Sequence, residues 1–238
     1  MVFRTTPPRQ LLVAAGLCVS GMFLSALAGA RADRVYDAWY CHTTSPIQSL
    51  PDLLTDISGI TAKYLHEYGY TPMRVVDGGV GLFCLYSCYL RCFTAWDTQV
   101  RVLRRALASS GMTYTLRAVM QVTITFPSYD QNVCPALLAT RSTSVFVDGI
   151  RALFAPVTGA YSHVDYMFSG HTIALTALYL ICLHIPRTPR MPVTMLYGSC
   201  LLLLVLCRVH YTVDILVGLL ASLFCHMVYD AHYRDYMD

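Results

Sequence analysis

Two short motifs hold the residues of this chain that are best suited to chemistry. The first is FSGHT at positions 168–172, and the second is HYTVD at positions 210–214. His210 and Asp214 are four residues apart, so a helix would place them on one face, within reach of a side-chain hydrogen bond. The carboxylate would then fix the imidazole tautomer and favour its positive form. Ser169 and Gly170 open a predicted helix before His171, and a helix N-terminus attracts phosphate through its free amides and positive dipole end.

The composition shows where these motifs must work. Of the 238 residues, 55% are hydrophobic and 13% are charged, whereas a soluble domain carries about 25% charged residues. The mean hydropathy is +0.49. These values exclude an ordinary water-soluble enzyme. Seventeen basic and 14 acidic residues give a net charge of +3, which is too balanced for a nucleic-acid binder that must neutralise many phosphates.

A membrane bundle is therefore the predicted fold. A hydrocarbon core of about 30 Å needs roughly 20 apolar helical residues, and helices satisfy their own backbone hydrogen bonds there. We predict an all-α protein with one six-span domain over residues 1–238. The spans are 11–30, 79–96, 112–126, 172–185, 192–209 and 212–229, and the exoplasmic stretches are 31–78 and 128–169. The first span has an alternative reading as a cleaved signal peptide, because Ala28 and Ala30 form a cleavage-like pattern.

The orientation of the spans brings the two motifs together. Arginines are denser in the shorter stretches, Arg101, Arg104 and Arg105 among them, which predicts that both termini lie in the cytosol. The fourth span would then begin, and the fifth end, on the exoplasmic side. His171, His210 and Asp214 would share one leaflet. Ionisable groups inside a bilayer cost on the order of 2.5 kcal/mol, so the set needs either a function or a place at the headgroup level, where the cost is small.

Other histidines and cysteines are interpreted as structural. His184 and His226 fall near the cytosolic ends of their helices, where no further role is needed. Eight cysteines in the spans are predicted to pack as small apolar side chains, including the regularly spaced Cys84, Cys88 and Cys92. Cys41 and Cys134 lie in exoplasmic stretches, where oxidation is permitted, and a bridge between them is a hypothesis. No metal site is predicted.

The motifs resemble those of a known enzyme family. FSGHT followed by HYTVDILVG resembles the paired histidine motifs of the sphingomyelin synthase and related sphingolipid synthase family, whose six-span fold belongs with the lipid phosphate phosphatases. The family's PLPD element is resembled by Ser49, Leu50, Pro51 and Asp52. Its RR, G, Y, R and P positions are matched by Arg104, Arg105, Gly111, Tyr114, Arg117 and Pro127. The chain departs from the family at residues 163–165, where His-Val-Asp replaces Cys-Gly-Asp, so only Asp165 is matched. The Val-Pro-Gly after Pro127 is also absent.

The resemblance implies a reaction and a location. A head group would pass from a glycerophospholipid (phosphatidylcholine, phosphatidylethanolamine or phosphatidylinositol) to ceramide, with release of diacylglycerol. His210, held by Asp214, would attack phosphorus, and His171 would move the protons. No cofactor would be required, and the substrate-binding residues would be Ser169, Gly170, Asp165, Arg117 and Tyr114. The protein would be a multi-pass Golgi protein with a lumenal active site. The endoplasmic reticulum, the plasma membrane and a homodimer stay open.

Two other functions compete with this one. A lipid phosphate phosphatase would use the same histidines but pass the phosphoryl group to water. That class carries an arginine six residues before its last histidine, where this chain has Leu204, and a Lys-x6-Arg-Pro element that this chain lacks. A monoester phosphate with two charges needs such cations more than a diester does. The third reading is a catalytically silent membrane scaffold, against which the intact histidine and aspartate set argues.

Overall fold

A computed structural model describes residues 7–41, 61, 64–65, 67, 72–124, 134, 142–154, 168–186, 188–207 and 209–233. Within these ranges the chain is helical and contains no strand. The helices are α1 (Pro7–Tyr36), which continues into a π-helical turn (Asp37–Cys41), α2 (Pro72–Cys92), α3 (Trp96–Thr123), α4 (Val145–Leu153), α5 (Gly170–His184), α6 (Arg190–Leu206) and α7 (Thr212–Tyr233).

Several of these helices suit a membrane. Three stretches are long and apolar enough to cross one, namely Arg9–Cys41, Pro72–Cys92 and Thr212–His232. Helices α5 and α6 are apolar but shorter. The described part of the protein is thus all-helical and of membrane type. Helices α5, α6 and α7 begin and end within four residues of the predicted spans, whereas α1 runs on to Tyr36 and α2 begins at Pro72, seven residues before the predicted start.

Helix α3 is the main departure from the prediction. It begins at Trp96 rather than at residue 112, so the prediction that Arg101, Arg104 and Arg105 lie in a loop is wrong. The stretch from 99 to 108 is rich in Val, Leu, Arg and Ala, which are mostly residues that a helix tolerates well. Polar side chains of α3 are buried against neighbouring helices, among them Ser109, Thr113, Arg117 and Gln121.

Glycines bring α1 and α3 into close contact. A Cβ on Gly111 would lie 2.7 Å from the backbone carbon of Leu17, and one on Gly21 would lie 2.5 Å from the carbonyl oxygen of Gly111. No side chain larger than hydrogen fits such an approach, which is typical of membrane helix pairs. The two helices run in the same direction, so that Ser25, one turn beyond Gly21, meets Gln121 and Arg117 of α3.

The apolar core joins α2, α5 and α6. Its fully buried members include Phe83, Leu175, Val193 and Leu204. Among the free cysteines that the structure describes, five are buried as predicted: Cys18, Cys182, Cys200, Cys207 and Cys225. The core-packing prediction is wrong for Cys84, Cys88 and Cys92, which are exposed on the outer face of α2.

The hypothesis of a disulfide is confirmed. Cys41 and Cys134 are bonded, with their Cα atoms 5.5 Å apart. The bridge ties the end of the π-helical turn to the segment between α3 and α4. Cys41 lies beyond Ser25 along α1, so the bridge is at the end of the bundle where α3 finishes.

Candidate active site

The first motif forms a tight entry into α5. Phe168 is buried and has a φ of 75°, a left-handed conformation that bulky residues rarely adopt. Ser169 follows as the N-cap, and its Oγ accepts a hydrogen bond from the amide of Thr172 at 3.2 Å. The turn therefore begins the helix sharply, with His171 in its first turn.

The second motif docks directly on the first. The backbone amide of Ser169 donates to the carbonyl oxygen of Asp214 at 3.3 Å. Gly218, one turn further along α7, lies so close that a Cβ there would meet Thr172 and the Ser169 carbonyl at 3.3–3.4 Å. This docking places the His171 and His210 rings edge to face with centroids 5.8 Å apart. The two predicted catalytic histidines thus lie at the same site.

Asp214 does not hold His210 in the predicted way. Its Oδ2 is 3.9 Å from Nδ1 of His210, beyond the range of a hydrogen bond. That oxygen instead accepts the backbone amide of Tyr211 at 3.2 Å. Asp214 is fully buried. Its carboxylate fixes the turn that carries His210, and its carbonyl oxygen joins the start of α7 to Ser169.

The expected positive form of His210 is also wrong. His210 lies in the turn between α6 and α7, and its pKa is well below the ordinary value of 6.5. Burial is the largest cause, and the positive charges of His171 and Arg117 add to it. Near neutral pH the ring is therefore neutral, which is the form of imidazole that can act as a nucleophile.

Asp77 is a site residue that the sequence motifs did not reveal. It lies in the second turn of α2, and its Oδ1 is 3.1 Å from Nε2 of His171. Because a carboxylate accepts, the proton of neutral His171 lies on Nε2, and Nδ1 is the remaining basic nitrogen. Asp77 is the charged residue nearest to the start of the predicted span 79–96, which could have marked it as a candidate. Its distance from His171 in the sequence gave no indication that the two side chains meet.

Arg117 supplies a cation beneath the N-terminus of α5. Its Nε donates to the carbonyl oxygen of Phe168 at 2.6 Å, and Nη1 donates to Oγ of Ser25 at 2.5 Å. A Cβ on Gly170 would lie 3.4–3.6 Å from the guanidinium carbon and nitrogens. The hydroxyl of Tyr114 donates to the carbonyl oxygen of Gly170 at 3.4 Å. Arg117, Tyr114, Ser169 and Gly170 thus surround the start of α5.

Some predicted residues lie outside the described ranges. Asp165 is among them, as are Pro127 and the whole SLPD element at positions 49–52. Their relation to the histidines stays a prediction. Within the described part of the chain, no group of three histidine, cysteine or acidic side chains is arranged to hold a metal ion.

A second polar cluster occupies the opposite end of α5 and α7. The rings of His184 and His226 are 5.3 Å apart. Asp230 lies 3.9 Å from Nε2 of His226 and forms an ion pair with Arg105 of α3. Both histidines lie near helix C-termini, as the sequence predicts. That they face each other was not predicted.

A comparison with known families bears on the part of the chain that holds both histidine motifs. The family described as PAP2 superfamily C-terminal matches residues 164–231, which include both histidine motifs and helices α5 to α7. The match spans less than a third of the chain. No curated protein matches the sequence. The matched segment fits the lipid phosphate phosphatase superfamily and supports a lipid enzyme of the phosphatase or phosphotransferase type.

Proposed function

We propose that the protein is a sphingolipid synthase that moves a phosphorylated head group from a glycerophospholipid to the primary hydroxyl of ceramide, releasing diacylglycerol. The observation that carries the proposal is the meeting of His171 and His210, with ring centroids 5.8 Å apart, at a helix N-terminus backed by Arg117. A helix N-terminus and a guanidinium together suit a phosphodiester anion.

The first half of the reaction uses His210 as the nucleophile. Its lowered pKa keeps the ring neutral, so a nitrogen lone pair attacks phosphorus. The bond from phosphorus to the diacylglycerol oxygen breaks, and protonated His171 gives its proton to that oxygen. Diacylglycerol leaves, and the head group remains on His210 as a phosphohistidine.

The second half uses His171 as the base. With Nε2 held by Asp77, Nδ1 of neutral His171 takes the proton from the ceramide hydroxyl. The ceramide oxygen attacks phosphorus, the bond from phosphorus to His210 breaks, and His171 is again protonated for the next cycle. A positioned acid or base of this kind contributes about 10²- to 10⁴-fold.

The charges at the site favour a diester over a monoester. At the position where a phosphatase carries arginine, Leu204 is fully buried in the apolar core with Phe83 and Leu175. Among the described residues, Arg117 is the guanidinium that lies against the start of α5. One cation suits the single charge of a diester, whereas a monoester carries two.

A lipid phosphate phosphatase is the second candidate. The match to the PAP2 superfamily C-terminal family favours it, because phosphoryl transfer to water would need the same pair of histidines. The two candidates differ in the acceptor, which is ceramide in one case and water in the other.

The proposed membrane arrangement has six spans, formed by α1, α2, α3, α5, α6 and α7, in one domain with both termini in the cytosol. The disulfide between Cys41 and Cys134 lies at the same end as the site, and such bonds persist in oxidising compartments. This supports an active site on the lumenal side, for which we propose the Golgi. The donor is one of the three glycerophospholipids named above.

A single assay tests the proposal. Membranes containing the protein receive fluorescent ceramide and one defined phospholipid at a time, and the lipid products are separated. We expect a new fluorescent sphingophospholipid with at least one donor. Release of phosphate from phosphatidic acid without a fluorescent product would establish the phosphatase instead, and the absence of both products would support the scaffold.

Matched histidine variants link any product to the site. His171→Ala and His210→Ala should each abolish the product while the protein still inserts into membranes. His184→Ala and His226→Ala, at the opposite end of the same helices, should retain most of the activity. Full activity in either of the first two variants would refute the assigned roles.

A further inference from the structure

Helix α4 has its apolar and charged faces reversed relative to a water-exposed helix. Its outward stripe consists of Phe146, Ile150 and, just beyond the helix end, Phe154, whose exposed fractions are 56%, 37% and 56%. Val147 lies beside the stripe and is 40% exposed. A surface helix in water presents polar residues outward, so this face is suited to an apolar medium.

The acidic side chain of α4 faces the protein. Oδ2 of Asp148 accepts a hydrogen bond from Arg34 at 2.9 Å, and its Oδ1 accepts from the amide of Ser142 at 3.0 Å. Burial raises the pKa of Asp148, but these hydrogen bonds and the charge of Arg34 outweigh burial and lower it. The carboxylate is thus kept charged against α1 and turned away from the apolar stripe.

Contacts with α1 fix the position of α4 relative to the uncharged, membrane-spanning stretch of α1. The Phe146 ring packs edge to face on Phe23 with centroids 5.7 Å apart, and a Cβ on Gly149 would lie 2.6 Å from Cδ2 of Leu27. Residues 11–30 of α1 contain no charge. At 1.5 Å per residue, Phe23 and Leu27 lie about 10 and 5 Å before the end of that run. Helices that lie in a membrane interface bury their apolar face by about 5–10 Å.

The two arginines near α4, Arg34 and Arg151, lie at the level expected for the membrane boundary. Arg34, which holds Asp148, is one turn beyond the end of the uncharged run and so falls at the membrane boundary. Arg151 is exposed next to the outward stripe, and its long side chain can reach headgroups while its methylenes stay in the apolar layer.

We propose that α4 lies within the membrane margin on the side of the active site, with Phe146, Val147, Ile150 and Phe154 in contact with lipid acyl chains. The segment from 128 to 169, which the sequence presents as an exoplasmic loop, thus contains a helix that is part of the lipid-facing surface. The partner of this surface is the bilayer itself. The inference rests on α1 and α4 alone and holds whichever lipid reaction the histidines perform.

Tryptophan fluorescence in vesicles tests this placement. Trp39 and Trp96, both 73% exposed, are replaced by Phe, and Ile150→Trp and Phe154→Trp are made separately in that background. The full-length proteins are reconstituted in phosphatidylcholine vesicles with bromine atoms near the top or near the end of the acyl chains. We expect bromine near the top to at least halve the fluorescence at both positions, more than bromine near the chain end, and iodide in the buffer to have little effect.

Thr143→Trp is the matched control. Thr143 is exposed and precedes α4 next to Ser142, whose carbonyl oxygen accepts a hydrogen bond from Arg34 at 3.1 Å. A tryptophan there should respond to iodide and little to deep bromine. Quenching of positions 150 and 154 by iodide but not by bromine would overturn the proposal, because α4 would then face water. Quenching by neither would also overturn it, since the face would be covered by protein such as a second copy.

Discussion

The two ends of α5 and α7 carry nearly the same residues and differ in what surrounds them. His171 and His184 lie about 20 Å apart along α5, and each faces a histidine of the α7 region, at ring distances of 5.8 and 5.3 Å. An aspartate follows four residues after each of those partners, His210 and His226, with a 3.9 Å separation in both pairs. Each end also has an arginine from α3.

Helix direction distinguishes the two clusters. At the His171 end both helices begin, so amide donors and positive dipole ends face an incoming anion. At the His184 end the helices finish, and carbonyl oxygens prevail: Nδ1 of His184 donates to the carbonyl oxygen of Leu180 at 2.6 Å. Asp230 there already neutralises Arg105. The two clusters share histidine, aspartate and arginine, so the residue types alone do not distinguish the proposed phosphate site. The difference is the helix end, because N-termini favour anions and C-termini favour cations.

After the two histidines, the largest effect on the rate is expected at Arg117. Arg117→Lys should lower kcat by about 10²- to 10³-fold, the usual result of losing one preorganised donor to a developing negative charge. Lysine cannot reproduce the fork that binds both the Phe168 carbonyl and Ser25. Initial rates with fluorescent ceramide measure the change.

The corresponding substitution at the other end is Arg105→Lys, which should leave kcat within a few-fold of wild type. Protein yield and melting temperature show whether either variant is misfolded. Equal losses in the two variants would show that the arginines act on folding and that the contrast between the ends is not functional.

A smaller loss of rate is expected when the carboxylate of Asp77 is removed. Asp77→Asn removes the charged acceptor of Nε2 of His171, so the ring is held less firmly in one tautomer. The rate should fall, but by less than the roughly 10²- to 10⁴-fold contribution of the acid–base group itself. The fall should appear in kcat rather than in KM, because Asp77 acts through His171 and not on the lipid. Asp230→Asn is the matched control and should retain most of the activity. An unchanged kcat in Asp77→Asn, or a loss confined to KM, would contradict the role of Asp77.

Much of this arrangement is readable from sequence because it depends on local patterns. The helix start at Ser169 follows from a capping residue before an apolar run, and the approach of His171 to His210 follows from the alternating direction of successive apolar helices. The Cys41–Cys134 bridge was accessible as a hypothesis because both residues fall in polar stretches on one side.

The remainder depends on tertiary contacts that spacing does not encode. Asp77 reaches His171 because α2 packs on α5, and Arg117 reaches the start of α5 because α3 packs on α5. The prediction of a hydrogen bond between His210 and Asp214 is wrong for a related reason. It assumed that both residues lie in one helix, whereas α7 begins at Thr212. The Asp214 oxygen instead accepts a hydrogen bond from the amide of Tyr211.

The pH dependence of stability tests the burial of His210 with the smallest expected effect. Because the folded-state pKa of His210 is well below 6.5, the unfolded chain binds a proton there that the folded protein does not. Stability should therefore fall as the pH drops below about 6.5, by at most about 1.4 kcal/mol per pH unit for this group. The melting temperature in detergent at pH 7 and pH 5 measures the fall.

His210→Gln should reduce the difference between these two melting temperatures. His232→Gln, which removes an exposed histidine at the far end of α7, should leave the difference as in wild type. An unchanged difference in His210→Gln would mean that the imidazole is hydrated, and the neutral nucleophile would then lose its structural basis.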